Sequence, residues 1–370
     1  MRALFDVVLV LVGVIAVGVV VDAAVRTFVV PRGAVVNFTV AIFRSIKWVF
    51  SQIASPRRTY EARDRVMALY APIALLALPT ISMLVVFGAF ACIFYGIEEN
   101  GVRSALSTSG SSLFTLGFDR PPDLPSEFIA FGEATIGLAL LALLIAYLPT
   151  IYTSFSRREV AVTDLAIRAG TPPTPANFLV RAHLTGFLLE MDSFWEGWMA
   201  WFTEVQETHT SYGSLVFFRS PNPHRSWVTA AGAVLDTAAM RLALVDIPPT
   251  PQAPLCIRSG YLALREVAGF FGFDYNDSPA PDDPISVTRD EFDAACNSLI
   301  KAGVPVHADH DQAWRDFAGW RVNYDRVLIT LAGFVMAPYS PWVSDRSAIT
   351  PLPYHGWGRR RIEMSRRTQK

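Results

Sequence analysis

The feature that most limits the fold of this chain is a polar segment, residues 103–127, that lies between two long apolar runs. The segment begins with a series of small and hydroxyl residues, and near its end Pro121 and Pro122 interrupt regular structure. Polar, non-helical backbone is tolerated at membrane depth only where protein buries it or where it lines a watery path. The segment therefore predicts a short helix that enters the membrane, followed by a loop that returns to the same side.

Three apolar runs are long enough to cross a bilayer as helices, which takes about 20 residues. They cover residues 3–30, 66–97 and 128–152, so the 52% hydrophobic content of the 370-residue chain is concentrated in its first half. The apolar core of a secretory signal peptide has about 7–15 residues, and the first run is longer. The first run is therefore predicted to remain as a membrane helix.

Residues 34–54 carry apolar side chains at helical spacing, but Arg44 and Lys47 interrupt them near the middle. Each charge at the centre of a spanning helix would cost about 2.5–3.5 kcal/mol. A helix that lies in the membrane interface avoids this cost, because both charges can point into the headgroups. The pattern therefore predicts an amphipathic interfacial helix.

Basic residues indicate the orientation in the membrane. They concentrate between the first and second runs, and Arg157 and Arg158 follow the third run. The connection between the second and third runs is instead acidic at its ends, with Glu98 and Asp123 among its residues. The positive-inside rule then predicts a multi-pass protein of the cell membrane, with its N-terminus and the polar loop outside and its C-terminal part in the cytoplasm.

The predicted fold is an all-α membrane protein with three transmembrane helices and a re-entrant loop, followed by an all-α cytoplasmic domain. The expected parts are an N-terminal membrane helix (1–33), an interfacial helix with a basic segment (34–65), a pore domain (66–156) and a cytoplasmic domain (157–370). The pore domain is expected to contain an outer helix (66–97), a pore helix with a filter (103–119) and an inner helix (128–155).

The cytoplasmic domain is predicted to be helical. Helical patterns cover residues 176–206, 226–245, 256–271, 288–302 and 312–336. Thr288 and Glu291 have the spacing of a capping box, and Gly303 is a matching stop signal. No stretch after residue 155 is expected to span a membrane.

The polar segment ends in a short motif between two predicted membrane helices. It consists of Thr115, Leu116, Gly117, Phe118 and Asp119. With the flanking helices, this motif resembles the two-helix pore-loop ion channels typified by bacterial potassium channels, whose filter reads Thr-Val-Gly-Tyr-Gly. The resemblance covers about residues 34–156, and Asp119 stands where the family has its second glycine. It implies a homotetramer in which each chain supplies one loop to a pathway for K⁺ or another monovalent cation.

In such a filter, backbone carbonyl oxygens replace the hydration shell of the ion. The resemblance implies that residues 115–118 supply carbonyl ligands, that Thr115 adds its hydroxyl and that Asp119 lies at the outer mouth. Glycine at alternate positions suits this backbone because it enters the left-handed region freely. Asp also tolerates that region, so three outcomes remain open at Asp119: a potassium-selective filter, a less selective cation pathway, or a pore-like fold that does not conduct. The last outcome corresponds to a membrane-anchored scaffold or sensor.

Three residues of the third apolar run are candidates for pore support or gating. Glu133 is an intramembrane carboxylate, which marks either a pathway or a hydrogen-bonded support behind the filter. Gly137 stands where an inner helix could bend, although small residues also serve helix packing. Pro149 is expected to kink the inner helix near its cytoplasmic end.

Other functions find little support in the sequence. The three cysteines are scattered and show no zinc-ligand spacing, and the net charge of −1 does not predict nucleic-acid binding. No Gly-x-Ser-x-Gly elbow or glycine-rich phosphate loop is present, so neither an enzyme nor a cofactor is predicted. The series His307-Ala-Asp-His-Asp311 has metal-ligand residue types, but its position before a helix favours a capping loop. No motif identifies a cytoplasmic ligand.

Overall fold

A computed structural model describes residues 2–29, 37–55, 57–98, 101–348 and 352–354. Its first helices are α1 (Arg2–Ala24, continued by a π-helical turn, Val25–Val29), α2 (Asn37–Ile53), α3 (Tyr60–Ala68), α4 (Tyr70–Ile97), α5 (Gly101–Leu113) and α6 (Leu124–Ala169). They are followed by α7 (Pro175–Leu184), α8 (Asp192–Ser211), α9 (Trp227–Leu244), α10 (Gln252–Phe270), α11 (Arg289–Lys301), α12 (His310–Arg321) and α13 (Asp325–Phe334). No β-strand occurs in these ranges, so the all-helical prediction is confirmed for the described residues.

The chain forms two compact units. The membrane unit comprises Met1–Arg57 and Val66–Thr153, and the helical unit comprises Arg58–Arg65 and Ser154–Lys370. The short segment 58–65 before α4 therefore belongs to the helical unit, although the expected division of the chain grouped this basic segment with the interfacial helix. The expected end of the first membrane helix and the start of the interfacial helix fall on residues 30–36, outside the described ranges.

Four helical stretches are long and apolar enough to cross a bilayer, and three of them belong to the predicted membrane half. These three contain α1, α3 with α4, and α6, which is compatible with a membrane protein. The fourth is α9, so the expectation that no stretch after residue 155 could span is wrong by length and composition. Protein buries 94% of α9, because this helix forms the centre of the helical unit's core.

Close contact between α1 and α4 defines their packing in the membrane unit. A Cβ atom on Gly13 would lie 2.5 Å from the carbonyl oxygen of Ala89, and one on Gly96 would lie 2.7 Å from that of Asp6. Early residues of α1 thus lie against late residues of α4, and the two helices are antiparallel. The backbones can approach this closely because glycine has no side chain, as is usual at contacts between membrane helices.

The α6 helix is longer than the sequence indicates. It has 46 residues, or about 69 Å at 1.5 Å per residue, whereas the predicted inner helix ended at residue 155. Pro149 lies inside the helix and does not end it, although its ring nitrogen cannot donate to the carbonyl of Ile145. The helix ends before Gly170, whose φ of +88° suits a left-handed stop after a helix.

Local signals in the helical unit are partly confirmed. Thr288 and Glu291 form the predicted capping box, and Gly303 has a φ of +79° after α11. The pattern over residues 176–206 is divided between α7 and α8, because Gly186 adopts a φ of +74° between them.

A buried ion-pair network fixes α9 against its neighbours. Arg321 is fully buried and pairs with Asp236 of α9 and with Asp325, while the Tyr324 hydroxyl donates to Asp236 at 2.8 Å. Buried charges are tolerated only when they are paired and hydrogen-bonded in this way.

Candidate functional site

The candidate site begins with α5, the short helix of the polar segment. It has 13 residues and is about 20 Å long, which is less than the roughly 30 Å of a bilayer core. One face of α5 carries hydroxyl side chains that are buried inside the membrane unit: Thr108, Ser109 and Ser111. This face contacts α4 and α6, so a helix of weak apolar character is held in the unit through hydrogen bonds.

The C-terminus of α5 ends in a left-handed turn at Thr115, whose φ is +52°. The Thr115 N–H donates to the Ser112 carbonyl at 3.0 Å, and the Leu116 N–H donates to the Ser111 carbonyl at 2.8 Å. This is the pattern of a Schellman cap, which satisfies carbonyls that the helix leaves open. Positive φ is rare for a β-branched residue such as threonine. The Thr115 side chain makes a local hydrogen bond in this turn, because its hydroxyl donates to the Phe114 carbonyl at 2.7 Å.

The loop after the cap has a second positive φ, +69° at Gly117, so left-handed conformations occur at alternate residues. A Cβ atom on Gly117 would have no neighbour within 4 Å, and the glycine is needed for its backbone conformation alone. Leu116 and Phe118 flank it with 62% and 67% of their surfaces exposed in a single chain. The loop therefore presents two large apolar side chains on the surface of a single chain.

Asp119 is attached to α5 on the return of the loop. The Ser111 hydroxyl donates to the Asp119 carbonyl at 3.1 Å and accepts from the Asp119 N–H at 3.0 Å. The Thr108 hydroxyl lies 3.5 Å from the Asp119 carboxylate. One serine therefore fixes both backbone groups of Asp119, and its carboxylate faces the hydroxyl face of the short helix.

Glu133 of α6 is fully buried and contacts the same helix. The Ser109 hydroxyl lies 2.5 Å from Glu133 Oε1 and 2.9 Å from the Phe87 carbonyl of α4. A serine hydroxyl carries one proton. If it donates to Phe87, the contact with Glu133 requires a proton on the carboxyl group. Ser109 thus joins α4, α5 and α6, while Glu133 Oε2 has no hydrogen-bond partner among the described residues.

Gly137 and Pro149 occupy different parts of α6. A Cβ atom on Gly137 would lie 2.6 Å from the Leu113 carbonyl, so α6 and the end of α5 are in close contact there. This contact agrees with a role of Gly137 in helix packing. That the helix bends at Gly137 stays a prediction. Pro149 is 16 residues beyond Glu133, about 24 Å along the helix, and the structure does not bring it to the loop.

Sequence reasoning missed Ser109 and Ser111, which make most of the hydrogen bonds that hold the site. The signal was present, because small hydroxyl residues are expected on a polar helix that must be buried in a membrane protein. Which hydroxyls are buried depends on contacts with Phe87, Asp119 and Glu133, and these leave no local pattern.

The described residues contain no group of three or more His, Cys, Asp or Glu side chains that could hold a metal ion. In the predicted capping loop, the Asp309 carboxylate accepts from the Gln312 N–H at 2.9 Å and caps α12. Comparisons of the chain with protein-family models, with curated proteins and with solved structures find no match.

Proposed function

We propose that the protein is a tetrameric cation channel that conducts potassium ions through the loop between α5 and α6. The observation that carries this proposal is a helix too short to span, held between two long apolar helices and followed by a loop with left-handed backbone at alternate residues. Polar, non-helical backbone in that setting is tolerated where it lines a watery path. The resemblance in sequence to pore-loop channels agrees with this interpretation.

The proposed mechanism is passive flux of dehydrated monovalent cations down their gradient. Backbone carbonyls of residues 115–118 replace water around the ion, and Asp119 adds negative charge near the outer mouth. Ser111 and Ser109 hold the loop and its helix in place, because each joins α5 to another part of the site. Four copies surround one axis, with the N-terminus outside and the helical unit in the cytoplasm.

A membrane-anchored scaffold or sensor is the second candidate, and one observation favours it. Helix capping accounts for the left-handed conformation of Thr115, and the Thr115 hydroxyl donates to its neighbour's carbonyl. Neither feature of a single chain requires an ion. A third candidate, a cation channel without potassium selectivity, follows from Asp119 in place of glycine.

Flux of potassium and of sodium into liposomes that contain the purified protein tests the proposal. The informative variant is Gly117→Ala, because an L side chain at a left-handed position costs about 1–2 kcal/mol and shifts the filter backbone. We expect the wild-type protein to pass potassium faster than sodium, and this variant to lower the potassium-to-sodium ratio by about tenfold.

The matched control is Gly18→Ala on α1, where an added Cβ atom meets nothing within 4 Å. This control should conduct like the wild-type protein. Equal potassium and sodium flux in the wild-type protein would establish the non-selective channel. Absence of flux from a folded protein, over a range of pH and voltage, would overturn the channel proposal in favour of the scaffold.

A further inference from the structure

Residues 215–219 of the helical unit, here called the bridge segment, contact two parts of the chain that lead directly into membrane helices. The first part is the end of α6 from residue 154 onward, and the second is the segment 58–65 before α4. Both parts belong to the helical unit, and both are continuous in sequence with helices of the membrane unit.

Arg158 attaches the bridge segment to α6. Its guanidinium is buried and donates to the Leu215 carbonyl at 2.8 Å and to the Phe218 carbonyl at 2.7 Å. It also pairs with Glu159 at 2.8 Å, so its charge is compensated within the protein. An arginine that donates to two carbonyls of one short segment fixes the position and the orientation of that segment.

His209 supports this arginine from α8. Arg158 Nη1 lies 3.2 Å from His209 Nε2, and because arginine has only donors, Nε2 must be the acceptor and hold no proton. Burial, followed by the nearby Arg158 charge, lowers the pKa of His209 well below its ordinary value. The imidazole is therefore neutral, and it completes the hydrogen bonds of a buried cation.

Arg219, the last residue of the bridge segment, makes the second attachment. Its guanidinium pairs with Asp64, and the side chains of both residues are 10% exposed. It also lies 3.3 Å from the Tyr60 hydroxyl and donates to the Val335 carbonyl at 2.9 Å and the Met336 carbonyl at 3.2 Å. Val335 and Met336 directly follow α13, at the end where the helix dipole favours a cation.

We propose that the bridge segment couples the inner ends of the two helices that flank the loop, so that α6 and the segment before α4 move together when the pore opens or closes. The inference rests on the proposed channel function and identifies its regulatory linkage. Arg158 and Arg219 lie far apart in sequence. The guanidinium of Arg158 is buried, and the side chains of the Arg219–Asp64 pair are only 10% exposed. Buried ion pairs of this kind are costly to break, because removal of one partner leaves the other uncompensated.

The test replaces Asp64 by asparagine, which removes the charge and keeps the shape of the side chain. Asp164→Asn is the matched control, since Asp164 pairs with Arg168 on the surface of α6 at 2.9 Å with half of its side chain exposed. Arg219→Lys is a second variant, because lysine retains the charge and loses the forked geometry. The full-length variants are compared in liposome flux and in hydrogen–deuterium exchange.

Asp64→Asn and Arg219→Lys should each change the potassium flux about fivefold or more, in the range of ordinary coupling between sites. The potassium-to-sodium ratio should stay at the wild-type value, because the bridge segment does not contribute to the filter. Exchange should accelerate in peptides that cover residues 58–68 and 213–219, and the Asp164→Asn control should match the wild-type protein in every measurement.

Unchanged flux together with accelerated exchange would overturn the coupling and leave a structural contact. Unchanged exchange in both variants would overturn the attachment itself. If the wild-type protein passes no cations, the channel proposal fails, and hydrogen–deuterium exchange alone tests the coupling through the bridge segment. Faster exchange in residues 154–162 of the Asp64→Asn variant would support this coupling. Exchange at the wild-type rate in those residues would refute it.

Discussion

Ser109 shows how a single hydroxyl group can hold the surroundings of the candidate site. It lies between the Phe87 carbonyl of α4 and the Glu133 carboxyl of α6, and the Ser109 and Glu133 side chains are fully buried. A buried polar group that loses its hydrogen-bond partner lowers the free energy of unfolding by about 1–3 kcal/mol. Removal of either Ser109 or Glu133 is therefore expected to destabilise the protein through the group that remains. Neither partner is close to Ser109 in sequence. A hydrogen-bonded Glu133 was one of two alternatives for that residue, and only the fold shows which hydroxyl group bonds it.

Replacement of Ser109 by alanine should destabilise the protein by about 1–3 kcal/mol, because the Glu133 carboxyl then remains buried without a hydrogen bond. The control is Ser112→Ala on the same helix, because Ser112 is half-buried and is not one of the buried hydroxyl residues of α5. Thermal unfolding in detergent measures the difference.

The double variant Ser109→Ala with Glu133→Leu should recover much of the lost stability, since replacement of both partners by apolar groups is nearly neutral. A double variant less stable than either single variant would contradict the proposed dependence.

At the scale of the elements, the sequence predicted those helix ends that depend on neighbouring residues alone. Thr288 and Gly303 bound α11 as expected, because a capping box and a left-handed stop involve only neighbouring residues. The end of α6 was placed too early, since the basic pair Arg157 and Arg158 indicated a boundary. Arg158 is instead buried by carbonyls about 60 residues away in sequence, and such contacts have no sequence signal.

The packing of α1 on α4 yields a prediction about one helix. Gly13→Ala should lower stability by about 1–3 kcal/mol, because the added methyl group would overlap the Ala89 carbonyl and overpack a close contact. Gly18→Ala, in the same helix but with open space around it, should leave stability unchanged or raise it slightly. Thermal unfolding of both variants in the same detergent checks the expectation, and equal midpoints would contradict the close contact.

At the scale of the whole molecule, the proposed channel requires other copies of the chain, which would cover the exposed apolar residues of the loop. Native mass spectrometry of the detergent-solubilised protein should find four copies of the 40.8 kDa chain. Phe118→Ser should weaken this assembly, because Phe118 is 67% exposed in one chain and is expected to be covered by a neighbour. Leu4→Ser changes an equally exposed residue of α1, outside the resemblance to channels, and should leave the assembly intact.

A monomer under mild solubilisation would contradict both the assembly and the channel proposed from it. An intact tetramer in the Phe118→Ser variant would instead place Phe118 away from the contacts between subunits.

The polar centre of α9 has a consequence for how the protein is made. By length and composition this helix could be taken for a fourth membrane span as the chain leaves the ribosome. Asp236 lies at the tenth of its 18 residues, where a charge costs about 2.5–3.5 kcal/mol of insertion free energy. The same carboxylate later pairs with Arg321 in the folded core. A charge at this position therefore opposes insertion of α9 into a bilayer, while the same carboxylate stabilises the folded core of the helical unit.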